Sequence, residues 1–231
     1  QFAKEQLLLL TKEWYMAPNG QLPAYEWNFS DVNPPTQVWA ALAVYHLESE
    51  QYRKKDRLFL EKIFQKLLLN FTWWVNQEDV EGKNIFEGGF LGLDNIGAFD
   101  RSQAALNGAI LEQRDGTGWV GMYCLKMGEM ALELALQNSV YEEMAVKFFE
   151  HFVAIADAIN AMTHDQIKGL WDEKEGFYYS TLIAKDGTVT KIRENSLSGM
   201  IPLFAVALND SKELNQFSHF KKQFEWFIKN K

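Results

Sequence analysis

Cysteine is nearly absent from this chain. Cys124 is the only one, so no internal disulfide can form and no Cys/His zinc cluster can be assembled. Basic residues are in deficit, 23 against 31 acidic ones, for a formal net charge of -8. A nucleic-acid partner needs a basic face that releases counterions from phosphates, so that class is excluded. Long apolar runs are missing as well: nothing approaches the roughly 18 residues of a membrane span. Leu7 to Leu10 is too short for a signal-peptide core. The expectation is a soluble chain, cytoplasmic or periplasmic, with no targeting signal to choose between them.

Apolar residues are plentiful, 47% of 231, enough for a sizeable core. They recur at helical spacing, and the spacing predicts helices near 2-14, 35-49, 54-77, 118-137, 140-162, 196-208 and 211-229. Pro34-Pro35 suits a first helical turn, and Asn209-Asp210 before Ser211 suits a turn and cap. Gly169 to Ser180 and Lys185 to Thr190 differ, with aromatic and β-branched residues around Asp-Gly turns, and read as a β-hairpin insertion. No linker divides 1-231, which reads as a single domain. Short returns on one side and long decorated loops on the other point to helical hairpins in a toroid or solenoid, with 15-34 and 78-117 at one end.

Three segments have the residue types for sugar chemistry. Loop 15-34 holds Tyr25, Glu26, Trp27, Asp31 and Asn33; flat aromatics stack on sugar rings and carboxylates or amides pair with hydroxyls. The plainer alternative is an ordered loop with Trp27 plugging the core. In 84-102, glycines let the backbone bend around Asp94, while Phe90, Leu91, Leu93 and Ile96 form an apolar setting that disfavours a charged carboxylate. That setting suits a general acid. Asp100 and Arg101 read as a structural ion pair. In 112-119, Thr117 reads as a helix cap, and Asp115 as either a cap or, with Gln113, Arg114 and Trp119, part of a sugar-contacting rim.

The remaining candidates read as structure: Cys124, Trp73-Trp74 and Met127 to Met130 as core, and His46, His151, His164 and His219 as ordinary helix or helix-end histidines. Trp171, Asp172, Phe177, Tyr178 and Tyr179 are a binding lip or a hydrophobic plug, more of it structural. Asn28-Phe-Ser30 and Asn70-Phe-Thr72 are sequons, relevant only in a secreted protein. No segment resembles a strong calcium loop, and no metal or cofactor is assigned.

Four segments resemble glycoside hydrolase family 63, the processing α-glucosidase and bacterial glucosidase family of the (α/α)6-barrel clan. They are Gly20 to Pro35, Phe90 to Phe99, Glu112 to Trp119 and Leu170 to Tyr179. The resemblance implies an all-α fold, a partial (α/α)6 toroid of helical hairpins with a short β-hairpin insertion near 169-190. It also implies an inverting α-glucosidase-like hydrolase in which Asp94, in a Gly-x-Asp-Asn type loop, is the general acid. Sugar binding falls to Tyr25, Glu26, Trp27, Asn33, Phe90, Asn95, Asp115 and Trp119. The inverting geometry sets a general base about 6.5–9.5 Å from the acid.

That base is expected beyond Lys231. The chain opens on Gln1 without methionine and has about seven helices by periodicity, fewer than a complete barrel. It is expected to be the N-terminal half or two-thirds of a catalytic domain, inactive alone and prone to self-association through its exposed barrel edge. The alternatives are a non-catalytic helical carbohydrate-binding module and a protein-binding one.

Overall fold

The structure is a computed structural model that describes residues 1–12, 14–26, 28–29, 32–76, 82–87, 108–161, 169–207 and 214–230. Helix α1 (Phe2–Leu10) ends four residues before the expected 14, where the Thr11 hydroxyl turns back to the Leu7 carbonyl at 3.0 Å. Helix α2 (Thr36–Tyr52) starts directly after Pro35, as a proline at the helix boundary requires. Helix α3 (Arg57–Val75) is opened by Asp56, whose carboxylate accepts from the Phe59 amide at 3.1 Å. Its buried face, Leu60, Ile63, Phe64, Leu67, Phe71 and Trp74, follows the helical period, and each such side chain contributes about 1.5–3 kcal/mol by leaving water.

The longest described helix, α4 (Arg114–Ala135), is central. It packs against α2, α3, the following helix α5 (Val140–Ile159) and a 3-10 helix (Leu197–Phe204). Tyr123, Cys124, Met127, Met130 and Ala131 are completely buried along it, so the expected core roles of Cys124, Met127 and Met130 hold. Trp73 and Trp74 are buried too.

Named contacts fix the helix directions. Arg57 at the start of α3 donates to the Leu134 carbonyl at the end of α4, while Asn70 near the end of α3 meets Tyr123 nearer the start of α4. Helices α3 and α4 are therefore antiparallel, and the short turns at 53–56 and 136–139 lie at one end. The starts of α2 and α4 and the ends of α3 and α5 lie at the other. The long connections all depart from that second end, as their lengths led us to expect.

Among the described residues, five short strands form two antiparallel sheets. Strands β2 (Trp171–Asp172) and β3 (Phe177–Tyr178) pair with Trp171 opposite Tyr178. Strands β4 (Ser180–Ile183) and β5 (Val189–Ile192) pair with Ile183 opposite Val189, across a turn in which Asp186 accepts from the Thr188 amide. Both turns end on a left-handed glycine, Gly176 and Gly187. The hairpin prediction holds, but β1 (Ile110–Glu112) adds a third strand, with Glu112 opposite Thr181. A three-residue strand carries too little periodicity to be read in advance.

Three helix assignments are corrected. The segment expected as an α-helix at 196-208 is the 3-10 helix, which accommodates Pro202 and its missing amide. The helix expected from 118 begins at Arg114, with Gln113 as its N-cap. Within the helix expected at 211-229, residues 215–217 are not helical, and α6 (Ser218–Asn230) starts after them, where Glu142 of α5 accepts from the His219 and Phe220 amides at 2.7 and 2.8 Å. The expected cap at Asn209-Asp210 lies outside the described residues. No described helix is long and apolar enough to cross a membrane.

Candidate functional site

Residues Glu112 to Trp119 run from a buried strand end into the first turns of α4, and every one is buried. Polar groups at such depth need partners, and Arg114 organises them. Its Nε donates to Ser198 Oγ at 3.0 Å, and Nη1 donates to the carbonyls of Tyr178 and Glu194, both at 2.9 Å. Its Nη2 reaches Glu194 Oε1 at 2.7 Å, Ser196 Oγ at 2.9 Å and Ser198 Oγ at 2.6 Å. All five N–H groups of the guanidinium fork therefore have acceptors. The rings of Phe177 and Tyr179 flank it, 5.8 and 5.9 Å from Cζ, close enough for their π faces to attract the guanidinium.

This network joins α4, β3 and the 3-10 helix at the end of the molecule where α2 and α4 start and α3 ends. Gly118 makes the junction tight, since a Cβ there would lie 2.7 Å from Pro202 Cα. Thr117 closes it from the other side. Its hydroxyl donates to the Gln113 carbonyl at 2.6 Å and accepts from the Phe86 amide at 3.0 Å, while the Gln113 amide donates to the Phe86 carbonyl at 2.9 Å. Phe86 in turn lies on Trp74, ring centroids 5.0 Å apart. The described residues flanking 88–107, Phe86 and Ile110, are thus both attached to this end. Asp94, Phe90, Asn95, Asp100 and Arg101 lie outside the described residues, as do Trp27, Asp31 and His164.

Of the other expected site residues, Tyr25 and Glu26 are exposed in a loop that bonds to itself, the Ala24 amide to the Asn28 carbonyl and the Asn28 amide to the Tyr25 carbonyl. Asn33, also exposed, donates to the Ala24 carbonyl. Asp115 and Trp119 are buried. Asp115 follows the cap into the first turn of α4, where a carboxylate favours the helix dipole, and the expected cap role of Thr117 is replaced by the bonds to Gln113 and Phe86. Trp119 packs edge-on against Phe204 at 5.5 Å. Those of the expected residues that are described therefore occupy two places, the 20–33 loop and the start of α4.

A second polar network holds that loop. Asn70, 1% exposed, donates to the Gly20 carbonyl at 2.8 Å and accepts from Gln37 at 2.9 Å and from the Tyr123 hydroxyl at 3.0 Å. Gly20 has φ +91 and presses on the Leu69 carbonyl, so no side chain fits there. Burial pushes the Tyr123 hydroxyl pKa well above its ordinary value, which keeps it a donor. In the hairpin, the Glu175 amide, with Lys191 and Arg193 nearby, holds the Asp172 carboxyl below the usual range despite its burial. Trp171 and Tyr178 meet edge-on at 4.8 Å and Tyr179 is buried, so this part of the hairpin is structural.

Sequence reasoning missed Arg114 as the organising residue, and Gln37 and Asn70 as the loop anchor. The one signal was Arg114 beside Asp115 at a helix start, because Ser196, Ser198 and Glu194 are too distant in sequence to be linked to it.

Solved structures with a similar fold include a hydrolase and an uncharacterized protein. The family 63 mannosylglycerate hydrolase of Thermus thermophilus, in complex with glucose, superposes with a TM-score of 0.64 at 16% identity, over 96% of this chain and 64% of its own. The fold is family 63-like. An uncharacterized conserved protein of the same organism gives a TM-score of 0.63 at 15% identity, over 94% of this chain and 63% of its own. In sequence, the uncharacterized protein YMR196W of Saccharomyces cerevisiae is 52% identical over 241 residues, which is all of this chain and 22% of that protein. The chain therefore spans about a fifth of its curated relative and under two thirds of the solved structures it resembles. No family model matches it.

Proposed function

We propose that this chain is part of an inverting glycoside hydrolase acting on α-glucosides or related glycans, its helical hairpins forming part of an (α/α)6 toroid. The observation that carries the reading is the family 63-like fold over 96% of the chain. The flanks of the Asp94 segment, anchored at the end where the aromatic-acidic loop gathers, are consistent with it. Asp94 gives its proton to the glycosidic oxygen as the bond to the anomeric carbon breaks, and a general base from elsewhere in the protein takes a proton from the attacking water. Tyr25, Glu26, Trp27, Asn33, Phe90, Asn95, Asp115 and Trp119 bind or position the sugar. Because the solved neighbours are named mannosylglycerate hydrolases, mannosylglycerate is a first substrate to test beside α-glucosides.

The face bearing Leu197, Leu203, Phe204 and Val206 is exposed, and we propose that the isolated chain self-associates through it. Concentration-dependent sedimentation would show this.

The catalytic reading is tested by incubating the intact protein with α-glucosides and mannosylglycerate while following the anomeric proton by NMR. Release of the β-anomer, lost on Asp94→Asn, supports it. Near-normal turnover by Asp94→Asn removes Asp94 from the acid role, and saturable sugar binding without turnover replaces the enzyme reading with a carbohydrate-binding one.

A further inference from the structure

The 20–33 loop is entered through Asn19-Gly20, a pair with a reaction of its own. When glycine follows asparagine, no Cβ hinders the backbone nitrogen from reaching the side-chain carbonyl. The Gly20 nitrogen gives its proton to hydroxide and bonds to Asn19 Cγ, the Cγ–Nδ2 bond breaks, and the nitrogen leaves as ammonia. Water then opens the succinimide at one carbonyl or the other, leaving aspartate or isoaspartate at 19. One water enters and one ammonia departs. Asn19 is exposed, so water and hydroxide have access.

The fold opposes the first step. The Gly20 N–H donates to the Ala17 carbonyl at 2.8 Å, and the Ala17 amide donates to the Gln21 carbonyl at 2.9 Å, closing the turn from both sides. A proton held in this way is lost less readily, and the nitrogen cannot turn toward Cγ without breaking that bond. Turning is blocked as well. A Cβ on Gly20 would lie 2.2 Å from the Leu69 carbonyl oxygen, so the two backbones are in close contact, and Asn70 Nδ2 holds the Gly20 carbonyl at 2.8 Å. One bond works the other way: the Gln21 amide donates to Asn19 Oδ1 at 3.0 Å and so favours charge on that oxygen during attack. It acts only after the Gly20 nitrogen has been freed, and the closed turn therefore decides the rate.

We propose that Asn19 is a deamidation site kept closed by the Asn70 clamp, and that isoaspartate at 19 releases the 20–33 loop. Isoaspartate routes the main chain through Cγ and adds a methylene ahead of Gly20. With the Leu69 carbonyl against it and Asn70 on its own carbonyl, Gly20 has no room for that shift. Clamp and modification thus exclude each other, and the change is one-way because the ammonia is lost. None of this draws on the carbohydrate reading, and it stands or falls apart from it.

The test incubates the intact protein at mildly alkaline pH beside a linear peptide of residues 15–25, and follows isoaspartate at 19 by peptide mapping. The expected result is formation about tenfold to hundredfold slower in the protein, because the bonds on Gly20 must open first. Asn70→Ala should bring the rate to within about threefold of the peptide. Gln37→Met, which leaves the Asn70 bond to Gly20 in place, should not. The Gly20 amide must open for hydrogen exchange as it must for attack, so its protection should match the slowing to within about threefold; this tests the closure in the parent even where Asn70→Ala does not fold. In the isoaspartate form, exchange at Gln21 and Ala24 should rise about tenfold or more. The proposal is overturned by modification at the peptide's rate, by a folded Asn70→Ala that keeps the parent's rate, by Gln37→Met speeding the reaction as much as Asn70→Ala, by an unprotected Gly20 amide, or by unchanged exchange in the modified form.

Discussion

Arg114 holds Ser198 with two of its nitrogens, Nε at 3.0 Å and Nη2 at 2.6 Å from the same hydroxyl oxygen. One side chain from the start of α4 thereby fixes the start of the 3-10 helix 84 residues later. The consequence is energetic as well as geometric, because the charge of Arg114 is buried and its partner Glu194 nearly so.

Arg114→Met should therefore take the guanidinium away from Glu194, Ser196, Ser198 and the Tyr178 carbonyl. With the Glu194 carboxylate still 18% exposed, the loss should cost about 1–3 kcal/mol. Arg114→Lys should recover little of it, since an ammonium cannot reach carbonyls, carboxylate and hydroxyls in one plane. Urea denaturation of the three proteins measures the differences, and a loss under 1 kcal/mol in Arg114→Met would contradict this account.

Two glycines of α4 should respond in opposite directions to the same change. Gly118→Ala places a methyl against the Pro202 backbone and should destabilise by about 1–3 kcal/mol. Gly128→Ala meets only Phe148 Cβ, at 3.8 Å, and should stabilise by about 0.5–1 kcal/mol because alanine loses less entropy in a helix. Thermal melts of the pair suffice, and equal effects would refute the close packing at Gly118.

Acid should weaken the contact between α1 and α3. Lys4 pairs with Glu48 and Asp56, and its hydrogen bond, joined by the Phe59 amide, holds the Asp56 carboxyl below its ordinary value despite partial burial. A carboxyl depressed in the folded state stabilises above its unfolded pKa of about 3.9 and loses that contribution as pH falls through the lower folded value. Burial opposes the Lys4 charge, but the two carboxylates outweigh it and raise its pKa. Its contribution is complete at neutral pH and fades only as pH rises above the ordinary lysine range. Stability measured from pH 7 to 3 should fall less steeply in Asp56→Asn than in the parent, and an unchanged slope would exclude this pair as a source of acid sensitivity.

Asn70→Leu should strand the Gly20 carbonyl and the Gln37 amide, at about 1–3 kcal/mol for each group that finds no water, while the Tyr123 hydroxyl keeps its bond to the Leu67 carbonyl at 3.0 Å. The same burial takes Asn70-Phe-Thr72 out of use as a glycosylation site. Peptide mapping after secretion from a eukaryotic host should find folded chain without a glycan on Asn70, and glycan there in the folded protein would contradict the buried geometry.

Much of the helical framework was legible because core positions such as Leu60, Ile63 and Leu67 repeat at the helical period, and the hairpins because the Glu175-Gly176 and Asp186-Gly187 turns lie between β-branched and aromatic residues. Helix ends were less legible. Asp56 is a local cap and lies within three residues of the expected start of α3, but the start of α6 depends on Glu142, 77 residues away from His219. The candidate site divides in the same way. Residue types in 15-34, 84-102 and 112-119 named the chemistry, whereas the anchoring of the 20–33 loop through Asn70 and of α4 through Arg114 joins positions that share no local pattern.

The sequence by itself determined most of the helical stretches, the apolar side of each and the lack of an internal disulfide, because composition and period are local properties. Tertiary structure alone decided that Arg114 is an internal anchor and not part of a sugar-contacting rim, that Asn70 is a buried clamp, and that 197–204 is a 3-10 helix. Each of these depends on which distant groups supply the partners of a buried polar atom, and that pairing exists only once the chain has folded.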